Sequence, residues 1–135
     1  MKIDFHLSQI KNMAALLWQQ FYHHKVWAFD APMGAGKTTL IHTLCDVLNV
    51  RSTVTSPTFA IINEYKSAAG IIYHMDWYRL QNKTEVIQAG CEDCLESGNL
   101  CFIEWAEKAQ ELLPQNTLHI SLEIINTQER RLVVK

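Results

Sequence analysis

Residues 26–40, VWAFDAPMGAGKTTL, constrain the fold of this chain more than any other stretch. Val26 to Phe29 is an uninterrupted apolar run rich in aromatic and β-branched residues, which predicts a strand buried on both faces. From Thr38 to Val50 the apolar residues Leu40, Ile41, Leu44, Val47 and Leu48 recur at helical spacing, so the order is strand, glycine loop, helix. A loop in that setting is built to wrap phosphates. Gly34 and Gly36 let the backbone approach an anion with no Cβ in the way, and the helix start adds N–H donors and a positive dipole end. Lys37 is placed to reach the β and γ phosphates of a nucleotide and Thr38 to offer its hydroxyl to Mg²⁺, with Ala35 and Thr39 completing the cradle. A plain turn with an exposed lysine is the bland alternative, but a lysine in the first helical turn opposes the helix dipole unless an anion uses it.

Where this loop motif usually begins with glycine, the chain has Ala31 followed by Pro32. A residue before proline is pushed to extended backbone angles, where a methyl group costs little; a demand for positive φ would instead cost about 1 kcal/mol or more. The proline therefore predicts a loop that tolerates Ala31.

The same patterning organises the rest of the chain. A short strand, IDFHL, precedes a helix with Ser8 as its expected cap and Ile10, Met13, Ala14, Leu17 and Phe21 on one face. Residues 58–65 (TFAIINEY) and 70–75 (GIIYHM) predict two strands joined by a polar turn at 66–69, and residues 82–97 short helices with Asn82 as a cap. Leu100 to Ile103 predicts another buried strand, residues 105–113 a helix stopped before Pro114, and residues 117–125 and 130–134 a hairpin about Asn126 and Thr127. Alternation of this kind predicts an α/β fold of three layers, with a largely parallel sheet and some antiparallel additions.

Mg²⁺ on a triphosphate calls for a carboxylate at the carboxyl end of a neighbouring strand, and two qualify: Asp76 after GIIYHM and Glu104 after LCFI. Glu104 is the better metal-side candidate, leaving Asp76 to orient an attacking water or sense the γ phosphate. A purely structural role also fits Asp76, as a partner for Arg79. Ser56 and Thr58 flank Pro57 in a hydroxyl-bearing turn suited to answering a γ phosphate, although Ser-Pro turns also form for local reasons. Trp77, Tyr78 and Trp105 flank the acids as packing residues or partner anchors.

With 135 residues, 48% of them hydrophobic, one domain spanning 1–135 is expected. No signal peptide pattern or run of roughly 18 apolar residues occurs, so a cytoplasmic protein with no membrane contact is expected. Cys91 and Cys94 form a CxxC pair without a second ligand couplet, in an acidic segment that raises thiol pKa values; reduced structural thiols are favoured over zinc or redox chemistry. A net charge of −2 with scattered basic residues disfavours direct nucleic-acid binding, so tRNA or DNA would be met through another protein.

GAGKTT at 34–39, SPTF at 56–59, HMDWYRL at 74–80, the Glu85, Gly90 and Glu92 pattern, and IEWAE at 103–107 occur in an order that resembles the TsaE (also called YjeE) family, small ATPases of bacterial tRNA threonylcarbamoyladenosine synthesis. The resemblance covers nearly the whole chain. It implies an ATP and Mg²⁺ site with Lys37 and Thr38 on phosphate and metal, Glu104 on the metal side, Asp76 needed for hydrolysis and a functional Trp105. It also implies ATP use in a complex with TsaB and TsaD, in which TsaD performs the transfer and tRNA is met only indirectly. Adenine contacts are implied around Ser8 to Lys11 and at Arg130 or Arg131, with Arg131 the candidate. Ala31 and Pro32 depart from the family's usual Gly-Asp or Gly-Glu, and Met75 and Trp77 vary the flanks of Asp76.

Two rival functions use the same loop. A small-molecule kinase needs a lid with several arginines, and the chain has Arg51, Arg79, Arg130 and Arg131 with no evident lid insertion. A nucleotide-gated binding module without turnover would order the 56–59 and 74–80 segments for a partner.

Overall fold

The computed structural model describes residues 1–50, 52, 53 and 61–135. Strand β1 (Lys2–His6) passes through a 3-10 turn, Leu7–Gln9, into helix α1 (Ile10–Phe21), and β2 (Val26–Asp30) leads through the glycine loop into α2 (Lys37–Val47). After β3 (Ser52–Thr53), β4 (Ile62–Ser67) and β5 (Gly70–Asp76) form a hairpin; α3 (Lys83–Gln88) and α4 (Cys91–Glu96) follow. The chain then runs through β6 (Leu100–Glu104), a 3-10 segment at Ala106–Leu112, and the hairpin β7 (Leu118–Ile124) and β8 (Glu129–Val134).

The described strands make one sheet in the order β1-β8-β7-β2-β6-β5-β4-β3. Its centre, β7-β2-β6-β5, is parallel, and antiparallel strands extend both sides. The parallel centre follows from sequence: β2 and β6 are apolar on successive residues, so both of their faces must be covered. On one face α1 and α2 bury Leu17, Leu40, Ile41 and Leu44 against Trp27, Phe29 and Phe102. Across the sheet α3, α4 and the 3-10 segment bury Val86, Cys91, Leu95 and Ala109 against Ala28, Met75 and Ile103. These are the three layers expected.

Two local expectations are corrected. Ser8 is not the cap of the first helix. α1 starts after Gln9 with no side-chain cap, and His6 caps the 3-10 turn before it: its Nδ1 accepts from the Ser8 amide at 3.1 Å while the Gln9 Oε1 accepts from the His6 amide at 3.2 Å, a reciprocal box. Residues 105–113 form no regular α-helix, because Trp105 enters in the left-handed region and Ala109 breaks the run at φ −152°, ψ 54°. Of the strand expected over residues 58–65, residues 58–60 lie outside those described, and the described part forms β4 from Ile62. Asn82 caps α3 as expected, its Oδ1 accepting from the Glu85 amide at 3.0 Å.

All four cysteines are buried and unpaired, and among the described residues no three His, Cys, Asp or Glu side chains gather as metal ligands. Burial pushes the Cys45 and Cys101 thiols up to about 12 and the Cys91 thiol to about 11. At pH 8 the native protein should therefore leave all four thiols unmodified by an aromatic disulfide reagent over minutes, and the denatured chain should titrate all four. Phe102 sits against Trp27 (5.5 Å between ring centroids, 65°) and Phe29 (5.7 Å, 84°) and has no exposure. Phe102→Ala should cost about 3–5 kcal/mol, read from the denaturant midpoint.

Candidate functional site

Gly34 (φ 83°) and Gly36 (φ 100°) hold the loop in backbone conformations that side chains rarely adopt. A Cβ would meet nothing within 4 Å at either, so conformation and not space demands glycine. Ala31 needs no such exemption: outside glycine, the described residues with positive φ are Asn49 and Trp105, and the Ala31 methyl is buried in the core. The Ala35 amide donates to Pro32 O at 3.1 Å to close the loop. The first helical bond runs from the Leu40 amide to Gly36 O at 2.8 Å, so the amides of Lys37, Thr38 and Thr39 precede it as the donors of a helix start.

Asp76 and Glu104 end adjacent parallel strands and are register partners. Glu104 is 3% exposed, and its two oxygens have different partners. Oε1 accepts from the Thr38 hydroxyl at 2.9 Å, and Oε2 lies 2.6 Å from His74 Nε2. His74 Nδ1 is 2.9 Å from the Tyr65 hydroxyl. Burial alone would push the Glu104 carboxyl up; the hydrogen bonds from His74 and Thr38 and the positive charge of Lys37 more than offset it, and the group is held below its ordinary value. Asp76 is exposed and accepts from the Tyr78 amide at 3.0 Å. Lys37 Nζ lies 4.0 Å over the Trp105 ring, whose other neighbour is Tyr78 at 5.0 Å. Trp105 holds φ 62°, ψ 42°, a left-handed conformation costing on the order of 1–3 kcal/mol for a bulky residue.

Lys37, Thr38, Asp76, Tyr78, Glu104 and Trp105 line a cavity of about 400 Å³ between the loop and the two acids. A second cavity of about 290 Å³ lies on the other side of the same glycines, bounded by Leu7, Ile10, Thr39 and Arg130. Arg130 is buried there: Nε donates to Ala35 O at 2.9 Å, and Nη1 to Asn126 O at 2.6 Å and Glu129 O at 2.9 Å. Another cavity, about 360 Å³ near Asp30 and His119, carries no residue of the glycine loop.

The structure thus brings Gly34, Gly36, Lys37, Thr38, Thr39, Asp76, Glu104 and Trp105 to one cavity, and Ala35 to the wall of the second. It does not bring Arg131 to either. Arg131 pairs with Asp4 across β8 and β1, at 2.7 and 3.0 Å, on the solvent side. Strand alternation carries the signal that separates the two arginines, since Arg130 shares its face with buried Leu132 and Val134. The same alternation sets His74 and Asp76 on one face of β5. Ser56 and Thr58 lie outside the described residues.

Strand, glycine loop and helix, with acids on neighbouring parallel strand tips and helices on both faces of the sheet, define a P-loop-type α/β protein. Within that class the chain belongs to the TsaE family: residues 6–132 match the family described as threonylcarbamoyl adenosine biosynthesis protein TsaE. Among its relatives are proteins named tRNA threonylcarbamoyladenosine biosynthesis protein TsaE from Haemophilus influenzae (36% identical over 70% of this chain and 60% of that one), Bacillus subtilis (35%, 79% and 66%) and Rickettsia typhi (31%, 94% and 88%). The match therefore spans less than two thirds of the first two relatives' own length. The crystal structure of Bacillus subtilis YdiB superposes with a TM-score of 0.68 at 27% identity, covering 98% of this chain and 83% of that one. Among the described residues no helix is long and apolar enough to cross a membrane.

The two arginines make a direct comparison. Arg130→Ala removes its hydrogen bonds to three carbonyl oxygens, leaves the buried Ala35 oxygen without that donor and should lower stability by about 1–3 kcal/mol, whereas Arg131→Ala removes an exposed pair and should leave the melting temperature nearly unchanged, both read by thermal denaturation.

Proposed function

We propose that this chain is a single-domain ATPase, cytoplasmic, that binds ATP with Mg²⁺ and hydrolyses it in complex with TsaB and TsaD, supporting threonylcarbamoyladenosine synthesis on tRNA without performing the transfer. The observation that carries the site assignment is the 2.9 Å bond between Thr38 Oγ1 and Glu104 Oε1 at the mouth of the glycine loop. A helix-start hydroxyl joined to a buried, ionised carboxylate is a fitting oxygen donor set for Mg²⁺, which when bound would supply positive charge against the phosphate oxygens. The loop amides and Lys37 would hold the phosphates, Lys37 leaving the Trp105 ring to do so. Asp76, exposed beside Glu104, is suited to orient the attacking water. The base fits the cavity of Leu7, Ile10 and Arg130 across the loop, so Arg130 and not Arg131 is the contact in this reading. A net charge of −2 with scattered basic residues fits tRNA being met through partner proteins and not directly.

Phosphate release from Mg²⁺-ATP should be slow for the purified chain and rise when the TsaB and TsaD of its own organism are added. Lys37→Ala and Glu104→Ala should each reduce the stimulated rate by at least about 100-fold with an unchanged circular dichroism spectrum. Normal turnover in either variant would refute the site assignment. Nucleotide binding with no release in any mixture would favour a nucleotide-gated binding module instead.

A further inference from the structure

Glu104 is held at both ends, and only one of those contacts belongs to the glycine loop. Its second oxygen lies 2.6 Å from His74 Nε2, both side chains about 95% buried, and the far nitrogen of His74 lies 2.9 Å from the Tyr65 hydroxyl. Since the carboxylate can only accept, Nε2 carries the proton; with the ring neutral, Nδ1 accepts from Tyr65. The three residues stand on three successive strands. Tyr65 registers with Ile72 and His74 with Phe102, whereas Asp76 registers with Glu104, so each bond steps diagonally by two residues along one face of the sheet. From α2, the His42 ring stands edge-on to His74 at 6.3 Å, 89°, packing the ring from above.

We infer that His74, backed by Tyr65, is a positioning residue for Glu104, fixing one carboxylate oxygen so that the other stays turned to the Thr38 hydroxyl. The inference rests on the reading of Thr38 and Glu104 as the metal-side pair. A carboxylate with one bonded oxygen can rotate about its last torsion, and the second bond fixes its plane; Tyr65 in turn selects the imidazole tautomer that donates toward Glu104. A merely structural trio would satisfy buried polar atoms and leave metal dependence untouched.

The test separates those roles by binding and not by turnover. Fluorescent mant-ATP is titrated against the full chain in EDTA and across a Mg²⁺ series, for the wild type and for His74→Ala, His74→Gln and Tyr65→Phe, with circular dichroism as the folding check. Affinity in EDTA should be the same for all. The Mg²⁺ concentration giving half of the metal-dependent tightening should rise about 10–100-fold in His74→Ala and a few-fold in Tyr65→Phe, and return toward wild type in His74→Gln, whose amide still donates to Glu104. Imidazole ¹⁵N shifts should report the Nε2–H tautomer of His74 in the wild type and a mixture in Tyr65→Phe. Wild-type Mg²⁺ dependence in His74→Ala, or in Tyr65→Phe should that one fail to fold, would overturn the inference and leave the ATPase reading standing. Wild-type protein whose mant-ATP binding ignores Mg²⁺ would overturn both.

Discussion

A charged carboxylate inside the sheet, at the tip of β6, is the constraint around which the loop end of this molecule is arranged. Left without partners, an ionised acid in that position would cost several kcal/mol. Glu104 avoids the penalty by accepting from a helix start on one side and from a neighbouring strand on the other. Each donor in turn depends on its own element: Thr38 on the glycine conformations that begin α2, His74 on the alternation of β5. The acid therefore ties together the sheet centre, the loop and the hairpin of β4 and β5.

The glycine loop serves both sides of itself. Gly34 and Gly36 border the cavity of the two acids and also the cavity of Arg130, so a single turn of backbone separates two spaces of different chemistry, one acidic with a lysine, the other apolar with an arginine at its rim. Arg130 reaches the loop through the Ala35 carbonyl, and β8 thereby braces from behind a turn that is anchored in front through Thr38. Pro32 contributes by accepting the Ala35 amide, while its ring sets the extended entry in which Ala31 is accommodated.

What could be read from the chain beforehand divides along physical lines. The order of β2, loop and α2 and the two acids at strand tips were legible because continuous apolar runs and helical spacing report burial directly. Asp76 and Glu104 were each placed at a strand tip by position alone; that they are register partners came from the structure. The choice of Arg131 over Arg130 went the other way, since two adjacent identical residues are separated only by strand parity, which Leu132 and Val134 encode. Ser8 as a cap was the ordinary choice by composition; the chain instead enters α1 through a 3-10 turn capped by the imidazole of His6, a bond that propensity does not capture. The irregular segment after β6 was hidden because Trp105 adopts a backbone conformation that no bulky residue favours. His74 was visible inside a motif but its partners were not, because a bond made diagonally across three strands needs the register.

That unusual Trp105 has a practical side. Of the four indoles in the chain, Trp27 and Trp77 have no exposure, and Trp18 stacks near Trp27 on α1. Trp105 alone stands at the mouth of the acidic cavity with an ammonium group over its ring. The molecule thus carries a built-in optical gauge: three chromophores supply a steady background glow, and the fourth is wired to the position of a single cation.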